Sequence, residues 1–228
     1  MALVCAFASD AAIAEDSPRR APLPPSEALV YSKKTGAEIE RVEMDTRLVR
    51  EGKSEYYELR LSSPEEEGLF RLDSQSLLEL SSDVTTKSAD ATIRRVTTVV
   101  ENRAVPAKDE IIASGGADTL AQSLRAFPWD SARKAKISFM GAGKAGSAYR
   151  FDFNVTGKES LEVAGRRIEC WKAQLSLDGL LGSFVGATKL WYSVEYPHYL
   201  VRSEGASGPP GSPETVLTLE SYRSGSGD

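Results

Sequence analysis

With 228 residues, 41% of them hydrophobic and 27% charged, the chain can bury one sizeable core, and its length suits a single domain of the sandwich or barrel kind. The net charge is -5, and the basic residues form only isolated pairs such as Lys33-Lys34 and Arg166-Arg167, which excludes the basic stripe of a nucleic-acid binder. No apolar run approaches the ~20 residues of a membrane-spanning helix, so no transmembrane span is expected.

Residues 1–14 end in Ala12-Ile13-Ala14, the small-x-small form of a signal-peptidase site, and polar residues follow. The apolar run before it is short and lacks a basic start. The segment reads as a truncated signal peptide, and the protein as periplasmic or secreted. Residues 15–26 hold four prolines and read as a linker. A single β-rich domain is expected over 27–223, with a frayed tail over 224–228.

From Glu27 onward the apolar period is two. Val42, Met44, Thr46 and Leu48 alternate with charged residues, and Tyr57, Leu59 and Leu61 do the same after the turn Glu51-Gly52-Lys53, which predicts a hairpin. Residues 64–68 read as a turn whose three glutamates are solvated. Short strands follow at 69–72 and 76–80, and a β-branched strand at 92–100. Residues 110–113 make another. Residues 118–126 are the one good helix: Asp118 can cap its start, Leu120, Leu124 and Phe127 sit at helical spacing, and Pro128 ends it. Such a helix would cross a sheet face or plug a barrel opening.

Strands resume at 136–140 and 149–155. The stretch 157–205 carries most of the large aromatics. It turns at Ala164-Gly165, sets Trp171, Ala173, Leu175 and Leu177 in one inward row, and alternates Leu190, Tyr192 and Val194 with Lys189, Trp191 and Ser193. Residues 178–186, with Leu180, Leu181, Phe184 and Val185 between glycines, read as a turn folded on the core or a loop rimming a cavity. A strand over 199–204 returns across Pro197-His198, and residues 215–222 make the last.

Little chemistry is encoded. Gly141-Ala142-Gly143-Lys144-Ala145-Gly146 has the G-x-G-x-x-G form, but a strand follows it where a dinucleotide site needs a helix, so it reads as a hairpin loop. His198 is the single histidine and lies in a turn, with no nucleophile elbow before it. Cys170, beside Trp171 in an apolar strand, reads as a buried, inert thiol. One histidine and one such cysteine leave only an all-oxygen metal site, and no metal or cofactor is assigned. The expectation is a protein that is not an enzyme; a hydrolase would need two convergent carboxylates, which no spacing rule marks.

At Gly157-Lys158-Glu159, Gly165, Lys189-Leu190-Trp191 and 197–202 the chain resembles the exported bacterial family known as domain of unknown function 3108, over 118–222. Those motifs are structural, and the resemblance carries no active site. In architecture that family is similar to the periplasmic lipoprotein carriers of the LolA/LolB kind, half-open antiparallel barrels closed by helices around an apolar cavity. That likeness is one of fold and does not establish function.

The fold expected is mainly β, a curled antiparallel sheet or incomplete barrel with one short helix. The leading functional reading is a protein that binds a lipid or other apolar ligand on the concave face, with Trp171, Phe184, Trp191 and Tyr192 as lining candidates. The alternative is an envelope structural or protein-interaction module with a filled core.

Overall fold

In the computed structural model, residues 23–88, 90–98, 110–114, 117–140, 148–179, 186–206 and 213–225 are described. Thirteen strands form: β1 (Ser26–Thr35), β2 (Glu38–Glu51), β3 (Ser54–Ser62), β4 (Glu66–Asp73), β5 (Glu79–Lys87), β6 (Thr92–Thr98), β7 (Glu110–Ser114), β8 (Lys134–Met140), β9 (Ala148–Val163), β10 (Arg166–Leu177), β11 (Thr188–Ser193), β12 (Leu200–Ala206) and β13 (Glu214–Gly225). Helix α1 (Ala117–Ser123) follows β7 and runs on as a 3-10 turn over Leu124–Ala126.

The alternation read from the sequence is what the sheet uses. In β2, Val42, Met44 and Thr46 are buried and the charged residues between them are exposed. The register Met44↔Leu61↔Gly68 and Thr46↔Leu59↔Phe70 carries the apolar row across β3 and β4. All the strands belong to one sheet in the order β6-β5-β4-β3-β2-β1-β13-β12-β11-β10-β9-β8-β7. The sheet is therefore two meanders joined where β1 meets β13, open at β6 and β7, and not closed into a barrel. Every neighbouring pair is antiparallel except β7 and β8, which run parallel with α1 between them in the chain.

Several boundaries differ from the sequence reading. Residues 23–26 belong to the fold, not to the linker: Leu23 is buried, and Leu48 N–H donates to Pro25 C=O at 2.7 Å. β4 starts at Glu66, because Ser63 and Glu66 close the preceding turn with backbone and hydroxyl bonds. Residues 76–78 are a turn. The Asp73 carboxylate accepts from Gln75 N–H and Ser76 N–H, Leu77 takes φ +56°, and β5 runs on to Lys87. β9 does not break at Gly157. It passes through with a bulge opposite Lys172-Ala173. Ser224 and Gly225 pair with Glu27 and Ser26, so the last strand takes in part of the expected tail. Residues 1–22, the glycine loop at 141–146, the segment 180–185 with Phe184, and residues 226–228 lie outside the described residues.

One irregularity shapes the surface. β12 and β13 pair from Ala206↔Glu214 to Arg202↔Thr218 and then part, while β13 stays with β1 as far as Gly225. Bulges at Val201 and Glu220 accompany the split.

Candidate functional site

Helix α1 reaches both halves of the sheet from one face. Leu120 and Leu124 are buried, as the apolar spacing predicts, but so are Thr119, Gln122, Ser123 and Arg125. A helix buried on its polar side needs partners there. Ser123 Oγ donates to Leu77 C=O at 2.8 Å, in the β4–β5 turn. Gln122 Nε2 lies 3.7 Å from Met44 Sδ on β2. Arg125 Nε donates to Pro197 C=O at 3.2 Å, between β11 and β12. Its guanidinium meets the Glu27 carboxylate of β1 in a two-pronged pair, Nη1 to Oε1 and Nη2 to Oε2, the latter at 2.8 Å. Both side chains are almost wholly buried. Burial opposes the Arg125 charge, but Glu27 more than offsets this, and the guanidinium pKa is raised.

Three buried tyrosine hydroxyls act as further pins, each donating to a distant backbone carbonyl: Tyr192 to Ala121 at 2.9 Å, Tyr31 to Leu200 at 3.0 Å and Tyr57 to Leu23 at 2.6 Å. Desolvation raises the pKa of all three, that of Tyr57 to about 12.

Behind the helix, Trp129 sits at the centre of an aromatic cluster. Its ring lies 4.9 Å from Tyr192, 5.2 Å from Phe127, 5.7 Å from Phe153 and 6.5 Å, stacked, from Trp171. Trp129 Nε1 donates to Leu124 C=O at 3.1 Å, which fixes the turn after the helix. Trp171 Nε1 is buried and has no hydrogen-bond partner among the described residues.

Of the four lining candidates, Trp171 and Tyr192 are opposite each other in the β10–β11 register and face α1. Trp191 precedes Tyr192 in the same strand and therefore points to the opposite face. There Lys172 and Arg202 flank it in adjacent strands, with Lys172 Nζ 5.3 Å and Arg202 Cζ 6.0 Å from the ring centroid. Glu159 Oε2 accepts from Trp191 Nε1 at 3.1 Å and Lys172 Nζ at 2.7 Å, and these bonds hold its carboxyl below the ordinary glutamate pKa. Phe184 lies outside the described residues. The sequence reading passed over Glu27, Arg125 and Trp129. Leu23, which grips Tyr57, stood in the presumed linker.

His198 Nδ1 lies 3.0 Å from Ser193 C=O, a backbone partner and not a nucleophile. Cys170 is buried, and its thiol is pushed up to about 12 by desolvation and by the nearby Glu159 and Glu169 carboxylates. The glycine motif at 141–146 is flanked by strands β8 and β9, so the helix of a dinucleotide site does not follow it. Among the described residues no helix is long and apolar enough to cross a membrane.

No family model matches the sequence, so the resemblance to domain of unknown function 3108 finds no support there, and no curated protein matches it either. Solved structures do. A beta-barrel-like protein of domain of unknown function 1849 from Brucella abortus aligns over 89% of this chain and 98% of its own, at 7% identity and a TM-score of 0.47. The hypothetical lipoprotein YmcC from Escherichia coli aligns over 87% of each chain, at 11% identity and a TM-score of 0.39. A LolA superfamily protein from Nitrosomonas europaea covers 87% of this chain and 84% of its own, at 9% identity and a TM-score of 0.24. With TM-scores all below 0.5, these similarities are of outline only.

Proposed function

We propose that the protein is an exported, non-catalytic binder of a lipid or other apolar ligand, held in the trough of the sheet that α1 occupies. The observation that carries this reading is the way α1 is seated. It is a seven-residue helix, buried on its polar side as well as its apolar one, and standing on an aromatic wall. Hydrogen bonds from Ser123 and, in the 3-10 turn that continues it, from Arg125, with one ion pair, attach it to three separate parts of the sheet. A helix that only filled a core would be held by an apolar stripe. One fixed at discrete polar points can leave as a unit and uncover the wall beneath. Trp171 and Tyr192 are the proposed lining residues, and the orphan Trp171 indole N–H is a donor for the polar end of a ligand.

The second reading, an interaction module with a filled core, is favoured by one fact. Trp129 and the helix already fill the trough with close aromatic contacts.

The test is titration of the detergent-free protein with a dansyl-labelled fatty acid, read by energy transfer from tryptophan, together with native mass spectrometry of the protein from a bacterial periplasm. The apolar-ligand reading expects saturable transfer and an organic-soluble adduct, both weakened by Trp171→Ala and kept by Trp191→Ala. A bare polypeptide mass with no transfer would leave the interaction module standing.

A further inference from the structure

A second site lies away from the trough, where β12 and β13 part. The turn between β9 and β10 reaches toward β13 there and leaves a cleft of about 520 Å³. Tyr199 and Tyr222 stack in its wall with ring centroids 4.3 Å apart, and Val163, Ile168 and Leu219 add apolar surface. The volume is that of a small-molecule site.

The charges around the cleft are not spent on each other. Arg166, Arg167 and Arg223 line it, and none of the three makes an ion pair among the described residues. Glu195 and Glu220 line it too and are likewise unpaired. A third carboxylate, Glu169, has only a long contact of 4.0 Å to Lys158. Elsewhere on the sheet some charges pair, as in Arg47–Glu58 at 2.7 Å and Lys136–Asp152 at 2.7 Å, while others, such as Asp45 and Arg95, do not among the described residues. Both signs act on one ring. Burial and then Glu195 raise the Tyr199 hydroxyl pKa, and Arg166 pulls it down.

The backbone that frames the cleft is left-handed at two residues other than glycine. Ala164, in the β9–β10 turn, has φ +50°, and His198, in the β11–β12 connection, has φ +57°. At Ala164 this is the normal demand of a two-residue hairpin turn, Gly165 beside it having φ +72°. Both turns border the same cleft.

A simple anion would meet as many carboxylates as guanidiniums here, and a simple cation the reverse. A ligand with both signs satisfies each set. Three guanidiniums suit the several oxygens of a tetrahedral phosphate better than a carboxylate, which one arginine can already hold in a fork. The carboxylates suit an ammonium group beside it, and the apolar wall a hydrocarbon segment. We propose that the cleft between the β9–β10 turn and β13 binds a zwitterionic phosphate ester of the phosphoethanolamine type, its phosphate on Arg166, Arg167 and Arg223 and its ammonium on Glu195 and Glu220. The head group can come from a membrane lipid or from a free phosphate ester. This site shares no proposed lining residue with the trough.

Isothermal titration of the full chain tests it, with four probes: O-phosphoethanolamine, lysophosphatidylethanolamine below its micelle concentration, lysophosphatidic acid and inorganic phosphate. The proposal expects saturable binding of at least one of the two ethanolamine esters. Binding of both identifies the head group as sufficient, and binding of the lysolipid alone identifies a lipid source. Arg166→Gln with Arg223→Gln should weaken it at least about tenfold, as loss of charge-assisted hydrogen bonds does. Glu195→Gln should narrow the preference over lysophosphatidic acid. Trp171→Ala, in the trough, should leave it unchanged. Should the double variant fail to fold, tyrosine ring resonances of the wild-type protein report instead, with Tyr199 and Tyr222 shifting on titration. The proposal is overturned by no binding of either ester, by inorganic phosphate or lysophosphatidic acid binding as tightly as its ethanolamine counterpart, or by unshifted Tyr199 and Tyr222 resonances.

Discussion

Trp171 and Trp191 are exposed to nearly the same small extent, 5% and 4%, on opposite faces of the same two strands. What hides them differs. Trp171 leans on Trp129 in a cluster built from a helix, a turn and five strands, with Lys158 Nζ 4.2 Å from its ring centroid. Trp191 is screened by Lys172, Arg202 and Glu159, whose own side chains stay partly in water. The first is interior, where removing a group leaves a hole or an orphaned partner. The second belongs to the other core cluster but lies under an ionic cover, where side chains can rearrange and solvent can replace a lost bond. Equal exposure thus conceals two kinds of burial, and only the inner kind should be expensive to disturb.

The comparison is tested most severely at the anchor of the inner face. Glu27→Gln leaves the Arg125 guanidinium buried without its counter-charge and should cost ~3–5 kcal/mol in urea unfolding. Replacing both, Glu27→Leu with Arg125→Met, should recover most of that loss, because two apolar side chains need no pairing. If the double replacement is as damaging as Glu27→Gln, the pair does more than hold the helix in place.

Next in size is Tyr192→Phe, which removes only a hydroxyl but orphans Ala121 C=O and should cost ~1–3 kcal/mol by the same measurement. A neutral result would mean that water reaches this carbonyl, and the inner face would then resemble the outer one.

On the outer face the effects should be smaller and should depend on pH. The bonds from Lys172 and Trp191 lower the Glu159 pKa in the folded protein. A depressed carboxylate stabilises the fold at pH above its unfolded value, and the contribution fades as pH falls through the lower, folded value. Glu159→Gln should flatten this slope by slightly lowering the thermal midpoint at neutral pH, while leaving the midpoint at acid pH, where the wild-type carboxyl is protonated, little changed. High salt should mimic the substitution. A slope that survives in Glu159→Gln belongs to other carboxylates.

The slightest perturbation is chemical labelling. Desolvation keeps the Cys170 thiol protonated, with a pKa pushed up to about 12, so maleimide at neutral pH should react only as the protein unfolds. Prompt labelling of the folded protein would show that β10 opens locally.

Much of this was legible beforehand because it is local. Strand alternation sets which residues are buried within a hairpin, and it marked β2; in β3, β10 and β11 residues on both faces are buried, Glu58, Cys170 and Trp191 among them. The helix followed from Leu120, Leu124 and Phe127 with Pro128 behind them, and it ends as expected, Phe127 being already extended. The same alternation placed Trp191 on the face opposite Tyr192, yet the lining candidates were grouped by nearness in the chain and so mixed the two faces. Glu27 and Arg125 lie 98 residues apart and look like ordinary solvated charges. Nothing local marks a charge as buried when its partner is brought by tertiary structure. The cleft depends in the same way on strands β12 and β13 parting, and on Arg223 coming to sit near Arg166.

The seam between β1 and β13 bears on how the molecule is made. Ser26 pairs with Gly225 and Thr35 with Thr215, so the middle of the sheet joins its first strand to its last. On a ribosome the β1–β6 meander can assemble early from neighbouring hairpins, but β1 then presents a bare edge until β13 has been synthesised. Such an edge invites pairing with other nascent chains. Contacts of this sequence separation also slow the search for the native state. The interval between emergence of the first meander and arrival of β13 is therefore when the chain most needs a chaperone.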